Sequence, residues 1–295
     1  MRIDGPSENS EKRTINWFPG HMAKALNEVK KSLTKVHLVV EIRDARVPLT
    51  SGNSALQEAI GKKHHLIVLN KANLVDEASL KKWQSWFDEQ EKPFLFLNSF
   101  DSSSLKAFMP KARNMVMKNR AKDTVNTSLR MMIVGLPNTG KSTLINHLMK
   151  KKAAKAADKP GLTQNQQWVT LAPGIELMDT PGIMPPMIGN DEQGLSLCAI
   201  HALKDDLVDT QTVAFHILKH IKKKCPQDYL NFYKQTEFAE FPHQELERIA
   251  KLRGHLKKGG EFDLERSATL LVYDFRQGHL GKLCFEERPI FKAKS

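Results

Sequence analysis

At 295 residues the chain is long enough for one large domain and a smaller one. It carries 45 Lys+Arg against 33 Asp+Glu, a net charge of +12 and a pI near 9.5, which favours a polyanionic partner such as nucleic acid or a ribosome. Its three cysteines, Cys198, Cys225 and Cys284, lack any C-x-x-C spacing and so exclude a zinc ribbon or a disulfide framework, and no apolar run reaches the length of a membrane span.

The first residues, MRIDGPSENSEKR, carry acids and have no apolar core, so residues 1–16 read as a flexible tail and as neither a secretion nor a transit signal. Met22, Leu26, Val29 and Leu33 then recur at helical spacing and predict an amphipathic helix from about Ala23. His37 to Ile42 reads as a strand that runs into the polar turn Asp44-Ala45-Arg46-Val47-Pro48. A short helix around Ala55 to Ile60, a strand from Leu66 to Leu69, a helix bearing Trp83, Trp86 and Phe87 and a strand from Phe94 to Leu97 follow. A long helix from Ser104 to about Met117 leads into Asn119 to Ser128, which reads as a linker.

Met131 to Val134 is the next strand, Thr143 to Met149 the next helix, and Gln167 to Leu171 pairs hairpin-like with Ile175 to Met178. Alternating strands and helices over 17–190 predict a parallel or mixed α/β sheet wrapped by helices. Beyond Pro185-Pro186 the pattern turns helical, as in Val213, Phe215, Leu218 and Ile221, so 191–295 is expected to form a smaller, mostly α-helical domain. Ala268 to Phe275 is a mixed apolar stretch that the pattern leaves unassigned.

Between the strand at Met131 and the helix at Thr143 lies GLPNTGKS, Gly135 to Ser142, in the strand, glycine loop, helix order of a P-loop. Backbone N–H groups over Asn138, Thr139, Gly140, Lys141, Ser142 and Thr143 would cradle phosphates, with Lys141 on the outer phosphates and the Ser142 hydroxyl on Mg²⁺. Asp179-x-x-Gly182 adds a carboxylate toward Mg²⁺ and a glycine N–H for the terminal phosphate, and Thr163 adds a phosphate-sensing hydroxyl. Asn70-Lys71-Ala72-Asn73 is similar to the guanine-reading N-K-x-D, and Asn98-Ser99 stands where a backbone N–H would meet the guanine carbonyl. Each short match alone is an ordinary turn. Four of them at strand ends of one sheet make a GTP/GDP site.

The order of these motifs is unusual, because the base-reading pair precedes the phosphate-binding pair. A parent GTPase fold cut before its fourth strand, with its old ends joined through Asn119 to Ser128, would give this order and leave the sheet unchanged. Glutamine commonly orients water after the switch glycine; Ile183 stands there and can neither donate nor accept.

The residues WFPGHMAKA (Trp17 to Ala25), DARVP, NKAN, NS, GLPNTGKST, PGLT, DTPGI and GGEFDLERSATLLVYDFRQGHLGKLCFE together resemble the circularly permuted GTPases of the YlqF type over nearly the whole chain. That resemblance implies a cytoplasmic GTPase that binds the large ribosomal subunit precursor late in assembly and is released by hydrolysis; the family has a mitochondrial relative, and the lack of a transit signature favours the bacterial form over it. It also implies rRNA contacts from the helical domain, His21 as catalytic residue, and K⁺ beside Asn138. The alternative function is a nucleotide-gated rRNA-binding assembly factor with negligible hydrolysis of its own. Basic segments at Lys111 to Lys159, Lys222-Lys223-Lys224, and Lys251, Arg253, Lys257 and Lys258 are the expected phosphate contacts. Two positions depart from the family pattern. Asn73 replaces the expected aspartate and faces a donor toward the guanine amino group, which is expected either to weaken guanine preference or to shift purine choice toward xanthine; Thr139 replaces a small apolar residue and is expected to be benign.

Overall fold

The computed structural model describes residues 20–117, 128–150, 167–172, 174–180, 182–184 and 189–289. The tail 1–16, Trp17 to Pro19, most of the expected linker and the loop with Thr163 lie outside them. The first half alternates strand and helix: α1 (Gly20–Ser32), β1 (Leu38–Asp44), α2 (Ser54–Ile60), β2 (His64–Asn70), α3 (Glu77–Glu89), β3 (Phe94–Leu97) and α4 (Ser102–Met117). After the linker come β4 (Leu129–Gly135), α5 (Lys141–Lys150), β5 (Gln167–Ala172) and β6 (Ile175–Asp179). Helices α6 (Asp191–Ala199), α7 (Thr210–Lys224), α8 (Pro226–Phe232), α9 (Pro242–Arg253) and α10 (Leu264–Gln277) complete the chain.

The strands form one sheet in the order β3-β2-β1-β4-β6-β5, parallel except for β5, which runs antiparallel to β6. Alternation sorts the side chains of β1 to the two faces. Leu38, Val40 and Ile42 meet Leu105, Phe108 and Ala112 of α4 and Leu144 and Ile145 of α5 in one cluster. Val39 on the other face joins Val29 of α1 and Leu56 and Ile60 of α2. With both faces covered, all seven residues of β1 are buried. Trp83, Trp86 and Phe87 of α3 pack on Ile67, Leu69 and Phe94, as core aromatics should.

Helix starts follow local chemistry. The side chains of Asn53, Asp76, Asn190, Asp209 and Asp263 each accept from a backbone N–H three residues on, capping α2, α3, α6, α7 and α10. The unassigned stretch 268–275 is therefore helix, inside α10, whose buried Ser267, Ala268, Leu271, Val272, Asp274 and Phe275 form one stripe at helical spacing. That stripe enters a core with α6, α7, α8 and α9, and Val47, Leu136 and Met184 from loops at the sheet belong to the same cluster. Helical half and sheet edge thus share apolar packing. Among the described residues no helix is long and apolar enough to cross a membrane.

Candidate nucleotide-binding site

Register places the C-terminal ends of β1, β2, β3, β4 and β6 along one edge: Asp44 lies opposite Asn70, Asn70 opposite Leu97, Ile42 opposite Gly135 and Ile133 opposite Asp179. From the central β1/β4 pair, β2 and β3 extend the sheet on one side and β6 and β5 on the other. A crevice opens at such a switch point in doubly wound sheets, and the polar turn after β1 and the loop Gly135 to Ser142 flank it here.

Asn70 is the hinge pin of the edge. Its amide nitrogen donates to the Thr139 carbonyl at 2.9 Å, and its oxygen accepts from the Ser99 hydroxyl at 2.8 Å and the Ser99 N–H at 3.1 Å. One side chain so ties the phosphate loop to both base-side loops. Gly140 has φ +96°, and a β-carbon there would fall on the Asn70 amide nitrogen, so glycine is needed for this approach. The Ser99 N–H is thus bonded to the Asn70 side chain.

Lys71 is held within the protein as well. Its ammonium bridges the Asn138 carbonyl at 2.8 Å and Asp44 Oδ2 at 3.0 Å. Burial lowers the Lys71 pKa, against the pull of Asp44. Asp44 in turn holds Arg46 through two bonds of 2.9 and 2.8 Å. Burial works to raise the Asp44 pKa, but Arg46 and Lys71 outweigh it and keep this carboxylate well below its usual range. The DARVP turn is thus a buried charge clamp under the phosphate loop. Ala72 and Asn73 begin a turn of 3₁₀ helix, Asn73 exposed, while Asp76 caps α3 through Ser79 N–H and cannot stand in for the missing aspartate. Asn98 turns its Oδ1 back on the Phe100 N–H.

Around the phosphate loop, Lys141 donates to the carbonyls of Leu136 at 2.7 Å and Gly135 at 3.2 Å. Burial pulls its pKa down to about 8, with Asp179 opposing. Ser142 is exposed in the first turn of α5, followed by half-buried Thr143. Asp179 ends β6 close enough for its charge to act on Lys141. A free hydroxyl, a carboxylate and a glycine loop opening a helix fit a Mg²⁺ ion held against phosphate oxygens. Gly182 approaches the loop so closely that a β-carbon would lie 2.8 Å from Pro137 N. Thr139 bonds the Leu136 carbonyl at 2.9 Å and so braces the loop. Thr180, which sequence patterns did not single out, anchors the switch turn to the Ile133 carbonyl at 2.7 Å.

Asn138, φ +57°, donates its amide to the His201 carbonyl at 2.7 Å, linking the loop to the end of α6. The bond leaves its Oδ1 as the end able to meet a cation. Other links to the helical half repeat at the β1 turn, where Phe285 N–H donates to the Arg46 carbonyl at 2.8 Å and Glu286 accepts from the N–H groups of Leu49 and Thr50. Ile183 is only 1% exposed and packs with Val29 of α1 and with Leu33, the residue that follows that helix. His21 lies in the first turn of that helix, eight residues or about 12 Å of helix upstream of Val29; its side chain is outside the described residues.

The model of the 50S ribosome-binding GTPase family matches residues 130–241, which begin at β4 and omit the base-side strands upstream, as a rotated motif order requires. Ribosome biogenesis GTPase A of Bacillus pumilus is 36% identical over 278 residues, 93% of this chain and 99% of that protein. Mitochondrial ribosome-associated GTPase 1 of Xenopus tropicalis is 32% identical, covering 92% of this chain and 94% of that protein. GNP-bound YlqF from T. maritima matches with a TM-score of 0.64 at 29% identity over 89% of this chain and 97% of that one. With the permuted order of its motifs, its sheet and its end-to-end likeness to these proteins in agreement, the chain belongs to the ribosome biogenesis GTPase A family of circularly permuted GTPases.

Proposed function

We propose that this chain is a GTP hydrolase of ribosome assembly that docks on the large-subunit precursor with GTP bound and leaves after hydrolysis to GDP. The observation that carries this reading is the Asn138 amide on the His201 carbonyl. Asn138 sits in the loop that would hold the phosphates and His201 follows α6, so a change at the phosphates is felt at once by the helical half. In this reading residues 17–190 are the nucleotide-binding domain and 191–295 the docking domain, with rRNA phosphates meeting the exposed Lys251, Arg253, Lys257 and Lys258.

Lys141 and the backbone from Asn138 to Thr143 hold the phosphates, Asn73 faces the base, and Ser142, Thr163 and Asp179 hold Mg²⁺. When bound, Mg²⁺ neutralises charge developing on the phosphate oxygens. K⁺ against Asn138 Oδ1 would add a second positive charge on that side. Buried Ile183 supplies nothing to the attacking water. His21 takes that role, on a helix whose later turns pack against Ile183. It orients the water once subunit binding brings the start of α1 over the terminal phosphate.

Turnover measured alone and with large subunits tests the reading. We expect slow hydrolysis alone and at least about 100-fold stimulation, a typical size for a positioned general base. His21→Ala should keep GTP binding and lose the stimulation. Equal rates with and without subunits would instead favour the purely nucleotide-gated binding factor.

A further inference from the structure

Away from the nucleotide edge, the contact between α6 and α7 brings together Glu192, His216 and His220, with one ligand atom from each within 4.8 Å of the other two. We propose that these three side chains form a binding site for a first-row divalent transition metal ion, Zn²⁺ being the ion best matched to two imidazoles and a carboxylate. His216 and His220 are four residues apart on α7 and so share one helix face, and Glu192 reaches them from the first turn of α6.

Three observations point to a ligand. Both ring nitrogens of His220 are buried yet have no hydrogen-bond partner, a costly state for imidazole in a packed setting. The His216 ring is fixed by Ser196, whose hydroxyl lies 2.9 Å from its Nε2 and 2.9 Å from the Glu192 carbonyl, giving the kind of outer support that orients a metal-binding histidine. Phe285 stacks on His216 with centroids 5.2 Å apart and meets His220 edge-on at 5.0 Å, walling the site on its apolar side.

The electrostatics also suit ligation. Burial lowers the pKa of both His216 and His220. Glu192 is now paired with Lys219 at 3.2 Å, but its side chain is 61% exposed. A surface pair of this kind is worth little, and a divalent ion would displace the ammonium. Ligand atoms must draw in by about 1 Å to reach the spacing that zinc bonds of about 2 Å demand. The exposed Glu192 arm supplies that adjustment. A bound ion would pin α6 to α7 beside Phe285, which holds the Arg46 carbonyl.

Titration of metal-free full-length protein with Co²⁺, read by visible absorption, and with Zn²⁺, read by calorimetry, tests the site. We expect one ion per chain, a tetrahedral Co²⁺ spectrum displaced by Zn²⁺, and a rise in Tm with Zn²⁺. His220→Gln and Glu192→Gln should each weaken binding by about tenfold or more and abolish the Tm shift, while His243→Gln at an exposed position leaves both unchanged. Glu192→Gln lies at the surface and keeps the test open if the histidine variant folds poorly. Absence of binding at about 1 mM metal, or binding that neither substitution weakens, would overturn the proposal.

Discussion

Lys141 makes nucleotide binding a proton-linked event. Burial favours its neutral form and sets its pKa near 8, and a phosphate bound beside it would restore the charged form. Binding therefore takes up protons: affinity is level below about pH 8 and falls as pH rises through it, by up to about tenfold per pH unit. Calorimetry at pH 8 in buffers of different ionisation enthalpy should find uptake of about half a proton per site; no uptake would place Lys141 away from the phosphates. Lys141→Ala should remove GTP and GDP binding altogether, since the loop then loses its buried cation. At the base, Asn73→Asp supplies a carboxylate that accepts from both guanine N–H groups. We expect GTP to gain about 10- to 100-fold over xanthosine triphosphate, measured by competition.

Elements meet at Asn70 and Ile183, and each meeting makes a prediction. Asn70→Ala strands the Thr139 carbonyl and the Ser99 N–H and hydroxyl, buried groups whose loss of a partner costs about 1–3 kcal/mol. Denaturant melts should show that cost, together with at least tenfold weaker nucleotide binding. Ile183→Gln restores the residue that orients water in other GTPases, yet here it buries an amide among Val29, Leu33 and Met178. We expect lower stability by about 1–3 kcal/mol and no gain in hydrolysis, read by thermal unfolding and turnover. Much of this was legible in the chain itself, because strand, glycine loop and helix each carry a local pattern and every motif falls at a strand end. The run Leu270-Leu271-Val272-Tyr273 misled because four apolar residues in a row have no period; only Asp263 and Gly278, the caps of α10, signal the helix. The targets of Lys71, Ser99 and Asn138 were not legible. They are backbone carbonyls and buried side chains brought close by the sheet, and a carbonyl such as that of His201 has no sequence signature.

Across the whole molecule, the permuted order puts a helical half directly after the switch strand and an N-terminal helix on the apolar side of Ile183. The shared cluster of Val47, Leu136 and Met184 with α6 to α10 packs the helical half against the loops at the sheet edge, while Val29 of α1 joins Ile183 in a separate cluster. Nucleotide state is then expected to act on docking through Asn138 and His201. Basic side chains exposed at Lys251, Arg253, Lys257 and Lys258, next to exposed Leu252, Leu256 and Phe262, form the surface proposed above to meet rRNA. Because counterions are released from phosphates, subunit binding should fall steeply with salt, and Lys257→Glu with Lys258→Glu should reduce that slope. Co-sedimentation of the full chain with large ribosomal subunits at fixed salt, in a non-hydrolysable GTP analogue and in GDP, tests the central claim most directly. The account predicts that the chain pellets with the subunit in the analogue and stays in the supernatant in GDP, and that Asn138→Ala narrows the difference; equal pelleting in the two nucleotides would contradict it.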